Sequence, residues 1–239
     1  MRFPELDAAR LTVAESLMAA MELPEGDVAK LLGVKGVALA AARQANRIVL
    51  TSGTKPALDR YTGVLYDALD HESLSSAAKR RANRQVIIFS ALWGLVTPAD
   101  RIPDYKLKMG AALPATGRLS LWWRPAITAA LDPIVARKVV WDLLPNEHAS
   151  AWAPAPDLMK ARISVRFIDD VADGAGRKQI TVAHWNKLLK GALVRHILET
   201  QLTSPDGLVD FVHPEGYVYD PALTIRTGDR TEISLVSRR

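Results

Sequence analysis

Val86-Ile87-Ile88-Phe89-Ser90 follows a basic helical stretch and is too short and too β-branched to extend it. Its unbroken apolarity predicts a strand buried on both faces. Lys138-Val139-Val140-Trp141-Asp142-Leu143 reads the same way. Ala161-Arg162-Ile163-Ser164-Val165-Arg166-Phe167 alternates as a half-buried strand does. Gly174-Ala175-Gly176-Arg177-Lys178 then turns into Gln179-Ile180-Thr181-Val182, so this pair is expected to form a β-hairpin. Residues 86–89, 138–141, 163–167 and 179–182 are expected to share one sheet. A short aromatic stretch at 211–219 precedes a closing hairpin, 222–227 with 231–236.

Helical periodicity fills the rest. Leu11, Val13, Leu17, Met18 and Met21 recur at helical spacing until Pro24-Glu25-Gly26 interrupts them. Asp27 is placed to cap a short helix over 28–32. Leu32-Gly33-Val34-Lys35-Gly36-Val37-Ala38 reads as a tight hairpin, because glycine supplies the positive φ such a turn needs. It leads into an alanine-rich helix over 39–46. Further helices are expected over 121–135, starting or kinking at Arg124-Pro125, and over 186–202. Helices and strands mix without a βαβ rhythm, which predicts an α+β fold. The expectation is a single domain over 1–239, with a mixed β-sheet flanked by helices and a helix-hairpin-helix-like element at about 27–46. No repeat, low-complexity segment or long linker divides the chain.

The chain has 239 residues, of which 49% are hydrophobic and 24% charged, the balance of a folded globular protein. It has no cysteine, which excludes disulfides, thiolate catalysis and cysteine-based metal sites. The longest apolar stretch, 86–96, is broken by Ser90 and Gly94 and falls short of a membrane span. Met1-Arg2-Phe3-Pro4 opens no apolar export segment. The expectation is a cytoplasmic, monomeric protein away from membranes, with no cofactor.

Charge is unevenly placed. The total is +5, with a pI near 9.5. Lys79, Arg80, Arg81, Arg84, Arg101, Lys106 and Lys108 face only Asp100 and Asp104 between residues 79 and 108. Lys187, Lys190 and Arg195 form a second group between His184 and His196, without a carboxylate. Such clusters attract phosphate-bearing partners, although a solvated helical face also accounts for any one of them.

Short catalytic motifs are absent: no GxxxxGK[ST], GxGxxG, HExxH or GxSxG occurs. The five histidines, His71, His148, His184, His196 and His213, make no metal-ligand pair at helical spacing. Asp169-Asp170 with Asp173 precedes a glycine turn and lacks the remaining ligands of a calcium loop, so it reads as a hairpin end. No metal site is expected.

Three longer segments carry a pattern. They are Tyr61-Thr62-Gly63; Ser90-Ala91-Leu92-Trp93-Gly94-Leu95 continuing through Pro98, Asp100, Ile102-Pro103, Tyr105, Leu107 and Met109-Gly110; and His184-Trp185-Asn186-Lys187-Leu188-Leu189-Lys190-Gly191 with Arg195 and Gly216-Tyr217. From about Phe3 to Tyr219 the chain resembles the YaaA family of peroxide-stress proteins, in an actinobacterial-looking form. The resemblance implies a single α+β domain that binds duplex DNA and limits iron-dependent damage during hydrogen peroxide stress. It assigns the DNA contact to a helix-hairpin-helix near the N-terminus. Here the matching residues are Lys30, Gly33, Lys35, Gly36 and Arg43. Backbone N–H groups at the start of the second helix would meet phosphates there, aided by the helix dipole. Such contacts are independent of sequence and weakened by salt. An ordinary helical hairpin with a glycine turn fits the same residues.

The resemblance has gaps. The family's opening strand, with its proline-serine segment and lysine, would precede Phe3 and is missing from this numbering, as a truncation or a misplaced start would explain. Leu143-Leu144-Pro145-Asn146-Glu147-His148 replaces a pattern with serine and tyrosine, and Thr97 stands where arginine is usual. A second class of function is an enzyme acting on a nucleotide or other phosphorylated small molecule. Tyr61, Thr62, Ser90, Asp100, Tyr105, Lys187, Lys190 and Arg195 sit at element ends or in loops and would line its basic cleft. Trp93, Leu107 and Met109 read as core instead.

Overall fold

The computed structural model describes residues 1–173, 176–182, 186–213 and 215–238. The expected turn at Gly174-Ala175 and the motif residues His184 and Trp185 lie outside the described residues. The first half of the chain runs α1 (Asp7–Ala20), α2 (Glu25–Leu32), α3 (Gly36–Arg47), β1 (Lys55–Pro56), α4 (Ala57–Arg60), α5 (Val64–Leu69) and α6 (Ser76–Gln85). It continues through β2 (Ile88–Ser90), β3 (Gly94–Val96), β4 (Arg101–Ile102), β5 (Ala112–Leu113), β6 (Gly117–Arg118) and α7 (Leu119–Val135). Then follow β7 (Val139–Asp142), α8 (Asn146–Ala149), β8 (Ala161–Asp173), β9 (Gly176–Thr181), α9 (Asn186–Thr200), β10 (Val218–Thr227) and β11 (Arg230–Arg238). This is an α+β fold with a five-stranded mixed sheet.

The chain gathers into two compact units. One takes Met1–Tyr61, Asn83–Ile134 and Leu144–Pro154, and the other takes Thr62–Ala82, Val135–Leu143 and Ala155–Arg239. The sheet belongs to the second unit and is built on the long strand β8. β7 pairs in parallel with residues 161–164 and β9 antiparallel with residues 168–173, so the two share one flank of β8. Along the other flank β11 runs parallel over residues 162–170, and β10 closes on it as the expected hairpin. Ile163, Phe167, Ile233 and Leu235 point into a core shared with Leu189 and Leu193 of α9. Gly191 lets α9 lie directly on α5: a Cβ there would overlap the Leu65 carbonyl. Two of the three aspartates at the end of β8 are spent on partners. Asp169 accepts from Tyr217 Oη at 2.5 Å, and Asp170 pairs with Arg177 at 3.0 Å.

One strand expectation needs correcting. Only three of the four apolar runs join the large sheet; Ile88–Ser90 pairs antiparallel with Gly94–Val96 as a separate ribbon in the first unit. The cause lies in the residues between them. Ser90 Oγ accepts the Trp93 N–H at 2.9 Å and the Ala91 carbonyl accepts Trp123 Nε1–H at 2.8 Å, so the chain folds straight back. Gly94 completes the turn with φ +68°, and a Cβ there would stand 2.9 Å from the Trp123 ring. Two further boundaries differ. α2 begins at Glu25 behind Pro24 rather than at an Asp27 cap, which leaves both Glu25 and Asp27 in the first turn, where the helix dipole favours acids. α7 starts at Leu119 and runs through both Pro125 and Pro133.

In the first unit a buried arginine organises the N-terminal segment. Arg10, 2% exposed, donates to the carbonyls of Trp93 (3.0 Å), Leu95 (2.7 Å), Phe3 (3.0 Å) and Arg2 (2.9 Å), and to Asp7 Oδ1 at 2.7 Å. Its planar fork of donors ties α1 to the β2–β3 ribbon.

Candidate nucleic-acid interface

α2 and α3 form a helical hairpin across Gly33-Val34-Lys35. Gly33, with φ +68°, ends α2 and donates its N–H to Ala29 O at 2.8 Å. Lys35 is extended and accepts the first bond of α3 from Leu39 N at 3.3 Å. The N–H groups of Gly36, Val37 and Ala38 precede that bond and have no carbonyl within the helix to reach. Nothing stands within 4 Å of a Cβ at Gly36, whose φ is +57°, so the backbone is open to close approach. Val37 is 89% exposed. Lys30 and Lys35 are exposed, and their ammonium groups take no hydrogen bond or ion pair among the described residues.

Arg43 has a different role from the one its charge suggests. Its Nε donates to Met21 O at 2.6 Å and its Nη2 to Leu23 O at 3.0 Å. The guanidinium therefore caps the C-terminal end of α1. Arg43 stands 22 and 20 residues from these two partners, so the bonds are set by how α1 and α3 pack.

A segment far along the chain reaches the same hairpin. Asn46 is fully buried and binds the backbone of one residue twice: its Nδ2 donates to Lys106 O and its Oδ1 accepts from Lys106 N, both at 2.9 Å. This lays residues 105–108 along α3. The Lys108 side chain then crosses Gly33, where any Cβ would overlap its ammonium and Cε. Sequence reading placed Asn46 in the second helix of the hairpin but brought neither Lys106 to it nor Lys108 to Gly33, because these contacts join residues 60 to 75 positions apart.

The cleft candidates divide between the units. In the first, Ser90 Oγ, Tyr105 Oη and Tyr61 Oη form a chain with both spacings 2.8 Å. Burial, followed by the neighbouring Tyr105, pushes the Tyr61 phenol well above the ordinary tyrosine value. Asp100 acts as a buried turn cap: its Oδ2 accepts Thr97 N at 2.7 Å and Thr97 Oγ1 at 2.9 Å, and its Oδ1 accepts Arg2 N at 2.7 Å. The hydroxyl of Thr97, at the position where arginine is usual, is thus used inside the fold.

In the second unit, Arg195 donates to Leu69 O at 3.1 Å and Asp70 O at 2.8 Å, holding the end of α5. Lys190 donates to Leu143 O at 3.1 Å; burial lowers its pKa against the pull of Asp142. Lys187 is exposed, and Thr62 begins this unit. Part of the 79–108 basic run is also structural. Arg81 is buried and donates to Glu199 O at 3.1 Å, and Arg101 donates to Thr54 O at 2.6 Å. Guanidinium forks hold backbone here, whereas the lysines of the hairpin stay open to solvent. No helix among the described residues is long and apolar enough to cross a membrane.

An α+β chain with a five-stranded mixed sheet and an N-terminal lysine-bearing helical hairpin is the class these elements define. The sequence pattern of the family described as "Peroxide stress protein YaaA" matches residues 5–223, and the chain belongs to that family. A UPF0246 protein of Streptomyces coelicolor is 41% identical over 219 residues, 90% of this chain and 80% of that one. UPF0246 proteins of Corynebacterium glutamicum and Roseobacter denitrificans are 36% and 33% identical, covering 81% and 72% of this chain and 73% and 66% of theirs.

Proposed function

We propose that this protein binds duplex DNA without sequence preference, through phosphate contacts made by the α2–α3 hairpin, and so limits iron-dependent oxidative damage in the cytoplasm under peroxide stress. The observation that carries the reading is the open backbone at Gly36, where the orphan amides at the start of α3 belong to the same hairpin as the exposed ammonium groups of Lys30 and Lys35. Amides at a helix start favour anions, and lysines supply the charge that displaces counterions from the duplex. Membership of the peroxide-stress family supplies the physiological setting. Gel-shift titration of a mixed-sequence duplex tests this. Binding is expected at low salt, with loss of roughly two to three decades of affinity between 50 and 200 mM salt if about five phosphates are neutralised. Absence of a shift at low salt, or binding indifferent to salt, would overturn the reading.

A further inference from the structure

Resting on that reading, we infer that Lys108 is a further phosphate-contacting residue of the hairpin and that Asn46 is the residue that positions it. Lys108 comes from a loop unrelated to the hairpin in sequence, yet its side chain lies over Gly33, the residue that makes the turn. The overlap a Cβ would make there shows how close the two are: glycine at 33 serves both the positive φ and the passage of this lysine. The Lys108 ammonium has no hydrogen bond or ion pair among the described residues, and its side chain is exposed. A cation held over a turn with no acid attached to it raises the potential where the orphan amides of α3 begin. It therefore adds to the same anion-facing surface as Lys30 and Lys35.

The loop is placed there by Asn46. Its two bonds to the Lys106 backbone reproduce the pairing of a β-ladder, and the Asn46 side chain that makes them is fully buried. Without them the Lys106 N–H and carbonyl would have to find other partners, and Lys108, two residues on, would no longer be held against Gly33. Arginine at 108 would keep the charge on a longer arm.

Salt titrations of duplex binding by Lys108→Ala and Lys108→Arg test the first half. Lys108→Ala is expected to melt as the native protein does, because the side chain is exposed. It should lose about one unit from the slope of log K against log[salt], while Lys108→Arg keeps the slope. A native slope in Lys108→Ala, alongside a reduced slope in Lys30→Ala and Lys35→Ala, would overturn the inference and leave the DNA reading standing. Native slopes in all three would overturn both. Asn46→Ala tests positioning: it should lose the same slope as Lys108→Ala, and the double variant should lose no more. Fully additive losses would refute the positioning role. If Asn46→Ala does not fold, Asn46→Asp provides the same cycle, since it keeps the acceptor for Lys106 N and removes the donor to Lys106 O.

Discussion

Replacing Lys30 and Lys35 together by alanine should weaken duplex binding on the order of 100-fold at low salt, because two fewer counterions are released. The slope of log K against log[salt] should fall by about two. The loss should be uniform across sequences, since phosphates carry no sequence information. Both side chains are exposed and take no internal partner, so the melting temperature should stay native. Arg43→Ala provides the contrast. Its guanidinium holds Met21 O and Leu23 O, so its loss should lower the melting temperature and leave the salt slope unchanged. Unchanged binding in the lysine pair would remove the hairpin from the interface.

Arg10→Met should destabilise the fold by upwards of about 3 kcal/mol. The replacement fills similar space but takes this donor from the carbonyls of Arg2, Trp93 and Leu95, while Phe3 O keeps the Leu6 N–H; each buried group left unsatisfied costs about 1–3 kcal/mol. Set against a total stability of roughly 5–15 kcal/mol, that is a large share. The melting temperature of a chain this size should fall by about 10 °C. Arg10→Lys should fall between the two, because one ammonium cannot span donors arranged as a fork. Chemical denaturation measures both. A loss below about 1 kcal/mol for Arg10→Met would mean water or repacking replaces these bonds.

Local pattern carried much of the fold. The apolar runs at 138–141 and 163–167 and the closing hairpin were legible because strand periodicity and turn residues sit within a few positions. The hairpin of α2 and α3 was legible for the same reason: Gly33 and Gly36 mark the backbone that needs them. Val86 to Ser90 misled, since its apolarity satisfies a two-stranded ribbon as well as a sheet, and Ser90 to Gly94 decides between them through bonds to Trp93 and Trp123. Arginines were the least legible. Arg10, Arg43, Arg81 and Arg195 look like surface charge in the sequence, but each is committed to carbonyls fixed by packing. Asp100 likewise looked available for chemistry and instead caps the turn at Thr97. The contact of Lys108 with Gly33 depends on a docked loop, and no spacing rule reaches across it.

Backbone hydrogen exchange of the native protein, with and without a saturating mixed-sequence duplex at low salt, tests the central claim most directly. Amides at the start of α3 have no internal acceptor and should exchange fast in the free protein. Adding duplex should slow exchange at Gly36, Val37 and Ala38 and in the flanking peptides that carry Lys30 and Lys35. Protection confined to Thr62–Ala82, Val135–Leu143 and Ala155–Arg239, with the hairpin unchanged, would contradict the account.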